Sequence, residues 1–118
     1  MKKFTFLLAA LLAAAARAQL PVVELTAGMH RVQAEVADNM GARMTGLMHR
    51  KSMAQNAGMV FVFEENAAHC MWMKNTLIPL SVAFIDAKGA IINIADMQPH
   101  REESHCSSRP ARYALEMK

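Results

Sequence analysis

The sequence predicts a single α+β domain that is mainly antiparallel β and carries a short helix. Three observations support this prediction. Residues His30 to Ala37 alternate between apolar and polar side chains, which is the period of a half-buried strand. Residues 58–86 contain three further apolar, strand-like runs in fewer than thirty positions. One stretch, which begins at Met40, changes to the spacing of an amphipathic helix.

The first 18 residues have the features of a secretory signal peptide. Two lysines precede the apolar run Phe4–Ala16, and small residues flank Arg17 in the pattern of a cleavage site. The run is shorter than the ~20 residues that a membrane-spanning helix needs, although an N-terminal anchor is the alternative. We therefore predict cleavage near Ala18 and a periplasmic or secreted mature domain at residues 19–118. It would contact the membrane only through the signal peptide before cleavage.

The charge of the mature domain argues against one class of partner. Of the 13 basic residues, Lys2, Lys3 and Arg17 belong to the signal peptide, so ten basic residues face ten acidic ones in the mature domain. A net charge near zero leaves no basic stripe to pair with phosphates. We therefore predict no nucleic-acid partner.

The mature chain divides into strands joined by turns and one helix. The predicted strands are Val22 to Leu25, His30 to Ala37, Met59 to Phe63, His69 to Met73, Val82 to Asp86, Ala90 to Ala95 and Arg112 to Met117. Glycines at Gly28 and Gly89 favour hairpin turns, and Glu64 to Asn66 is predicted as a third turn. A polar loop runs from Asp96 to Pro110.

The helix is predicted from about Met40 to His49. Asp38 or Asn39 can cap its start by accepting a hydrogen bond from a free backbone N–H. Apolar residues follow at helical spacing, namely Met40, Met44, Leu47 and Met48. We interpret these methionines as filling an irregular core under a short helix. The alternative is a thioether site for copper(I).

The order of several motifs resembles the DUF192 family of small bacterial and archaeal proteins. These motifs are Arg43-x-x-Gly46-Leu47-Met48-x-Arg50, Gly58 to Phe63, Trp72-Met73-Lys74-Asn75-Thr76-x-x-Pro79-Leu80, Phe84-Ile85-Asp86 and the terminal Ala114-Leu115-Glu116. The resemblance covers Val22 to Glu116. It implies a compact barrel-like sheet with one or two short helices and assigns no activity.

The chain departs from the family pattern at two places. Ser81 stands where family members commonly have an aspartate, so no carboxylate role is expected at that position. Family members usually continue past the Leu-Glu pair with a helix and a closing strand, whereas this sequence ends at Lys118. We therefore expect either a C-terminally truncated domain or a barrel that closes differently, and a missing closing strand would leave an unpaired strand edge and exposed core.

The main candidate for function is a ligand surface formed by Trp72, Lys74 and Asn75, with Arg43 as a further contributor. An aromatic face beside an ammonium and an amide can hold a small polar molecule such as a sugar or a carboxylate. In the alternative, Trp72 is a core residue and Asn75 only shapes the bend before Pro79. Arg43, for its part, can pair with Glu64 or Glu65 instead of a ligand.

A second candidate combines two repeated dipeptides, His69-Cys70 and His105-Cys106. In an oxidising compartment Cys70 and Cys106 are expected to form a disulfide. The alternative is a zinc or copper site that uses both cysteines and both histidines.

These residues favour a non-enzymatic module of the cell envelope whose partner is an unknown small molecule or envelope protein. The sequence offers no set of nucleophile, base and orienting group, so we predict neither an enzyme nor a bound cofactor. A metal-handling protein that uses Cys, His and Met ligands is the alternative function.

Overall fold

The computed structural model describes residues 19–118, and the predicted signal peptide lies outside them. Its elements, in chain order, are strands β1 (Val22–Ala27) and β2 (His30–Ala37), helix α1 (Met40–Thr45), and strands β3 (Ala57–Ala67), β4 (Cys70–Met71), β5 (Leu80–Ile85), β6 (Ile91–Met97), β7 (His105–Cys106) and β8 (Ala111–Met117). Within residues 19–118, no helix is long and apolar enough to span a membrane.

Six of the strands form one sheet in the order β1-β2-β3-β8-β5-β6, and β4 pairs with β7 in a separate ribbon. All neighbouring pairs are antiparallel except β2 with β3, which run parallel. Strands β1 and β6 are the two edges of the sheet, so it is open. The predicted mainly antiparallel fold with one short helix is confirmed, but the sheet does not close into a barrel.

The parallel pair explains the position of the helix. Two parallel strands cannot be joined by a tight hairpin, and the crossover from β2 to β3 contains α1. Asn39 caps this helix, because its Oδ1 accepts a hydrogen bond of 2.9 Å from the backbone N–H of Ala42. The helix ends before Gly46, whose φ of 49° and ψ of −132° suit a residue without a Cβ. The predicted end at His49 was therefore too late.

The interpretation that the helix methionines fill the core is wrong for Met40 and Met44. Met40 and Met44 are 69% and 71% exposed, whereas Leu47, just after the helix, is buried. Six residues make fewer than two turns, so this helix presents no continuous apolar stripe to the sheet. The buried residues come instead from the sheet and the long connections.

The larger core lies on the face of the sheet that α1 and the long connections cover. Its fully buried large side chains include Met59, Phe61, Met73, Phe84 and Met97. A smaller cluster on the opposite face consists of Val32, Ala34 and Val60, with partly buried neighbours from β1, β2 and β8.

Three further local predictions were wrong. The segment from Asp96 to Pro110 is not a continuous loop, because it contains the end of β6 and all of β7. Glu64 to Asn66 are not a turn, because β3 continues through them to Ala67 as an exposed strand end. The predicted strand from His69 to Met73 is reduced to Cys70–Met71, and the chain becomes irregular at Trp72.

The last strand, β8, is an interior strand that lies between β3 and β5. Its approach to β3 is close at Gly58, where a Cβ atom would lie 2.7 Å from the carbonyl oxygen of Glu116. Glycine at position 58 is therefore required by the packing of these two strands.

Candidate functional site

A cleft of about 440 Å³ opens between α1 and the segment that follows β4. Its lining residues are Arg43, Met44, Thr45, Gly46, Met48, Cys70, Met71, Trp72, Lys74, Asn75, Thr76 and Glu116. The volume falls in the range of about 300–1,000 Å³ that is typical of small-molecule sites. All four residues predicted as a ligand surface, Arg43, Trp72, Lys74 and Asn75, line this one cleft.

The segment Trp72–Thr76 is fixed by hydrogen bonds to other parts of the chain, although it belongs to no strand. The N–H of Met73 donates to the carbonyl of Arg101 at 2.9 Å, and the N–H of His100 donates to the carbonyl of Thr76 at 3.1 Å. The hydroxyl of Thr76 donates to the carbonyl of Lys74 at 3.0 Å. The side chain of Met73 is fully buried and anchors the segment in the core. Contacts within the fold therefore hold this wall of the cleft in place.

Trp72 lies at the surface of the cleft and is 45% exposed, so it is not a core residue. The side-chain nitrogen Nζ of Lys74 lies 5.2 Å from the centroid of its ring, within the range of a cation–π contact. Trp72 and Lys74 therefore lie side by side, although the strand ends before both residues.

Asn75 has a backbone role in the cleft. Its φ of 52° lies in the left-handed region, which asparagine tolerates better than most residues. Its carbonyl accepts a hydrogen bond of 2.9 Å from the N–H of His49, which joins this wall to the connection that follows α1. Its side chain is exposed at the cleft.

Arg43 is committed mainly to the fold. Its guanidinium donates to the carbonyl of Val62 at 3.0 Å and to the carboxylate of Glu64 at 3.1 Å, which ties α1 to β3. The predicted pairing with Glu64 is therefore confirmed. The corresponding partner of Arg50 is Glu35, through two hydrogen bonds that raise the pKa of the arginine.

Glu116 is a residue of the cleft that the sequence analysis did not identify as a candidate. It is only 4% exposed, and burial alone raises the pKa of its carboxyl group to about 7. The signal was present in the alternation of β8, since Ala114 and Glu116 lie on the same, buried face. A carboxylate on the core face of a strand is unusual unless it has a partner or a function.

The second group of candidates comprises His69, Cys70, His105 and Cys106, and only Cys70 among them lines the cleft. Cys70 and Cys106 lie opposite each other in β4 and β7, with Cα atoms 4.0 Å apart, and form the predicted disulfide. The ring of His69 stacks on Phe63, with centroids 3.8 Å apart. His105 lies opposite Met71.

The metal alternative has no assembled ligand set in this part of the chain. Within residues 19–118, no three His, Cys, Asp or Glu side chains converge as they would around a metal ion. In the disulfide form neither cysteine offers a thiolate, which is the form that binds zinc or copper.

Two solved structures are similar to this chain. A protein from Sinorhizobium meliloti 1021, described as a candidate transcription regulator, matches with a TM-score of 0.80 and 36% identity. That match covers 87% of this chain and 84% of the other. A protein of unknown function from Novosphingobium aromaticivorans DSM 12444 matches with a TM-score of 0.79 and 28% identity, covering 90% and 84% respectively. No curated protein matches the chain.

The family comparison covers the whole sheet. The model of DUF192, described as an uncharacterized ACR, matches residues 22–118, which include every strand and every lining residue of the cleft. The chain belongs to the DUF192 family.

Proposed function

We propose that this protein is an exported, non-enzymatic module of the cell envelope that binds a small polar ligand in the cleft beside Trp72. The observation that carries the proposal is the convergence of an exposed indole, the ammonium of Lys74 and the amide of Asn75 on one opening. These groups come from a segment that is already fixed by the fold.

The chemistry of the cleft suits a small molecule better than a macromolecule. Methionine side chains and the indole give it apolar walls, and a few polar groups stand among them. Binding sites for small molecules commonly combine apolar walls with a small number of placed polar groups. Because the segment Trp72–Thr76 is held by hydrogen bonds, little conformational entropy is lost when a ligand binds.

The disulfide supports the proposed location. Disulfides persist in oxidising compartments such as the bacterial periplasm and are rare in the cytosol. The Cys70–Cys106 bond joins β4 to β7, and Cys70 itself lines the cleft. Export would therefore also preserve the covalent support of this wall.

The description of one similar protein as a candidate transcription regulator suggests a different function. A DNA-binding domain needs basic residues to contact phosphates. Residues 19–118 carry ten basic and ten acidic side chains, and Arg43 and Arg50 are paired with Glu64 and Glu35. The charge balance therefore favours a small-molecule site.

Trp72 supplies the test because it is the only tryptophan in the sequence. We expect a saturable change in its fluorescence when the oxidised protein is titrated with sugars, carboxylates and amino acids one at a time. The variant Lys74→Met should weaken the response, whereas Lys88→Met, in the turn between β5 and β6, should not. If no compound changes the emission, or if both variants behave alike, the proposed site is wrong.

A further inference from the structure

We infer that the ligand is a zwitterion of amino-acid type, whose ammonium group contacts Glu116 inside the cleft while its carboxylate contacts Lys74 and Asn75 at the mouth. This inference rests on the proposed function and names the class of ligand for the same cleft. It follows from the placement of charges in the cleft and from the unpaired state of one buried carboxyl group.

Glu116 has no partner among residues 19–118. None of the ion pairs in this part of the chain includes it, and desolvation is the only cause of its altered pKa. Every buried side-chain oxygen or nitrogen that is sealed from the surface has a hydrogen-bond partner in these residues. The carboxyl oxygens of Glu116 are therefore not sealed, and the surface they reach is the cleft that this residue lines.

The fold gives this carboxyl group no compensating charge from the strands beside it. In the sheet, Glu116 lies opposite Met59 of β3 and Val82 of β5, neither of which titrates. The charged side chains that face the same cleft are Arg43 and Lys74. Arg43 is already bonded to Val62 and Glu64, and Lys74 lies over the Trp72 ring.

A buried polar group without a partner is costly, so a structure that keeps one is expected to use it. A hydrogen-bond donor that carries a positive charge is the best complement to a carboxylate in a site of low dielectric constant. An ammonium group on the ligand would supply this donor without any rearrangement of the sheet.

The mouth of the cleft offers hydrogen-bond donors, whereas Glu116 in its interior offers an acceptor. Lys74 and Asn75 are both exposed and offer an ammonium and an amide N–H₂ group. Both groups can donate hydrogen bonds to the carboxylate of a ligand, and the inner carboxyl group can accept one from its ammonium. The charges therefore run from negative inside to positive outside, which is complementary to a zwitterion that enters with its ammonium first.

Several other lining residues of the cleft are apolar. They include Met44, Met48, Met71 and Trp72, and thioethers and an indole pack well against aliphatic or aromatic groups of varied shape. An α-amino acid with an apolar side chain satisfies all three features. L-leucine is therefore a suitable probe.

The test uses calorimetric titration of the oxidised protein, expressed as the whole chain, with L-leucine, N-acetyl-L-leucine and L-leucinamide. N-acetylation removes the ammonium, and we expect it to weaken binding to the wild type by at least about tenfold, as loss of a charge-assisted hydrogen bond would. Glu116→Gln should weaken the binding of L-leucine by a similar factor and leave the binding of N-acetyl-L-leucine unchanged. Lys74→Met should weaken the binding of L-leucine but not that of L-leucinamide, which has no carboxylate.

A second measurement on the wild type avoids dependence on the folding of any variant. Protonation of Glu116 removes the charge that holds the ammonium, so affinity for L-leucine should fall as the pH is lowered below about 7 and should level off near the affinity of Glu116→Gln, about tenfold weaker. Glu116→Gln should remove this dependence. The ammonium of L-leucine stays charged over this range, so the ligand does not cause the effect.

The outcomes separate the inference from the proposed function. If N-acetyl-L-leucine binds the wild type as well as L-leucine does, or if the affinity for L-leucine is independent of pH, the inference that the ligand is a zwitterion is wrong. If, in addition, a sugar or a simple carboxylate binds and shifts Trp72 fluorescence, the proposed cleft stands with another ligand. If no compound binds and Trp72 does not respond, both proposals are overturned.

Discussion

The ammonium of Lys74 lies 5.2 Å from the centre of the Trp72 ring, at the mouth of a cleft that α1 and the segment after β4 enclose. Trp72 falls within the predicted strand His69 to Met73 and Lys74 follows it, and the fold holds both residues in an irregular segment. Their contact links the proposed site to a spectroscopic signal.

The first prediction concerns this contact. Lys74→Met keeps an unbranched side chain only one atom shorter and removes the charge, so the emission spectrum of Trp72 should shift. The free energy of unfolding should change by less than about 1 kcal/mol, because cation–π contacts at exposed sites are weak. Fluorescence and chemical denaturation measure both quantities. An unchanged emission spectrum would show that the ammonium does not lie over the ring in solution.

The second prediction concerns the pH dependence of stability. The carboxyl group of Glu116 has a pKa raised from 4.5 to about 7 in the folded state, so the folded state binds a proton more tightly than the unfolded chain does. Its contribution to stability is fully present below pH 4.5 and is lost as the pH rises through about 7. A shift of this size corresponds to about 3 kcal/mol.

Denaturation of the wild type and of Glu116→Gln at a series of pH values tests the second prediction. The variant should lose this component of the pH dependence and should be the more stable protein above about pH 7. Equal slopes for the two proteins between about pH 4.5 and 7 would mean that Glu116 is not buried as described.

The third prediction separates the two hydrogen bonds of Arg43. Arg43→Lys cannot reproduce both donations of the guanidinium, and loss of the bond to the partly buried Val62 carbonyl should cost about 1–3 kcal/mol. Glu64→Ala removes only the exposed ion pair and should cost less than about 1 kcal/mol. Thermal or chemical unfolding distinguishes the two variants, and equal losses would contradict the structural role assigned to Val62.

The fourth prediction concerns the disulfide. The Cys70–Cys106 bond closes a loop with a sequence separation of 36, for which the chain-entropy estimate is roughly 4 kcal/mol. Reduction should lower the free energy of unfolding by up to that amount and should increase hydrogen exchange in the segment Trp72–Thr76, which begins just after β4. Measurement of exchange in the oxidised and reduced protein tests this. Unchanged protection in that segment would show that the bond does not support the cleft.

The sequence predicted those features whose physical cause is local. The bounds of β2 agree fully with the prediction, because alternation of apolar and polar residues continues over its eight positions. The cap predicted at Asp38 or Asn39 is found at Asn39, and the turn predicted at Gly28 is found, because both depend on the chemistry of one or two neighbouring residues. Glu64 to Asn66 was mistaken for a turn because an exposed strand end and a turn have the same polar composition.

The features that depend on distant contacts were harder to predict. Arg43 and Trp72 were each selected as candidates, but their meeting in one cleft depends on the packing of α1 against a segment nearly thirty residues away. Glu116 was missed because its importance comes from burial between β3 and β5, and that burial is set by sheet order. The edges of the sheet, β1 and β6, likewise follow from the order of the strands, which no local pattern encodes.

The most direct test of the proposed site is a nuclear magnetic resonance titration of the oxidised protein with small polar compounds, L-leucine included. We predict saturable shifts in the indole N–H of Trp72 and in the backbone amides of Gly46 and Asn75, with no comparable shift in the distant hairpin at Gly28. The absence of shifts at the cleft for every compound, or shifts confined to another surface, would contradict the account.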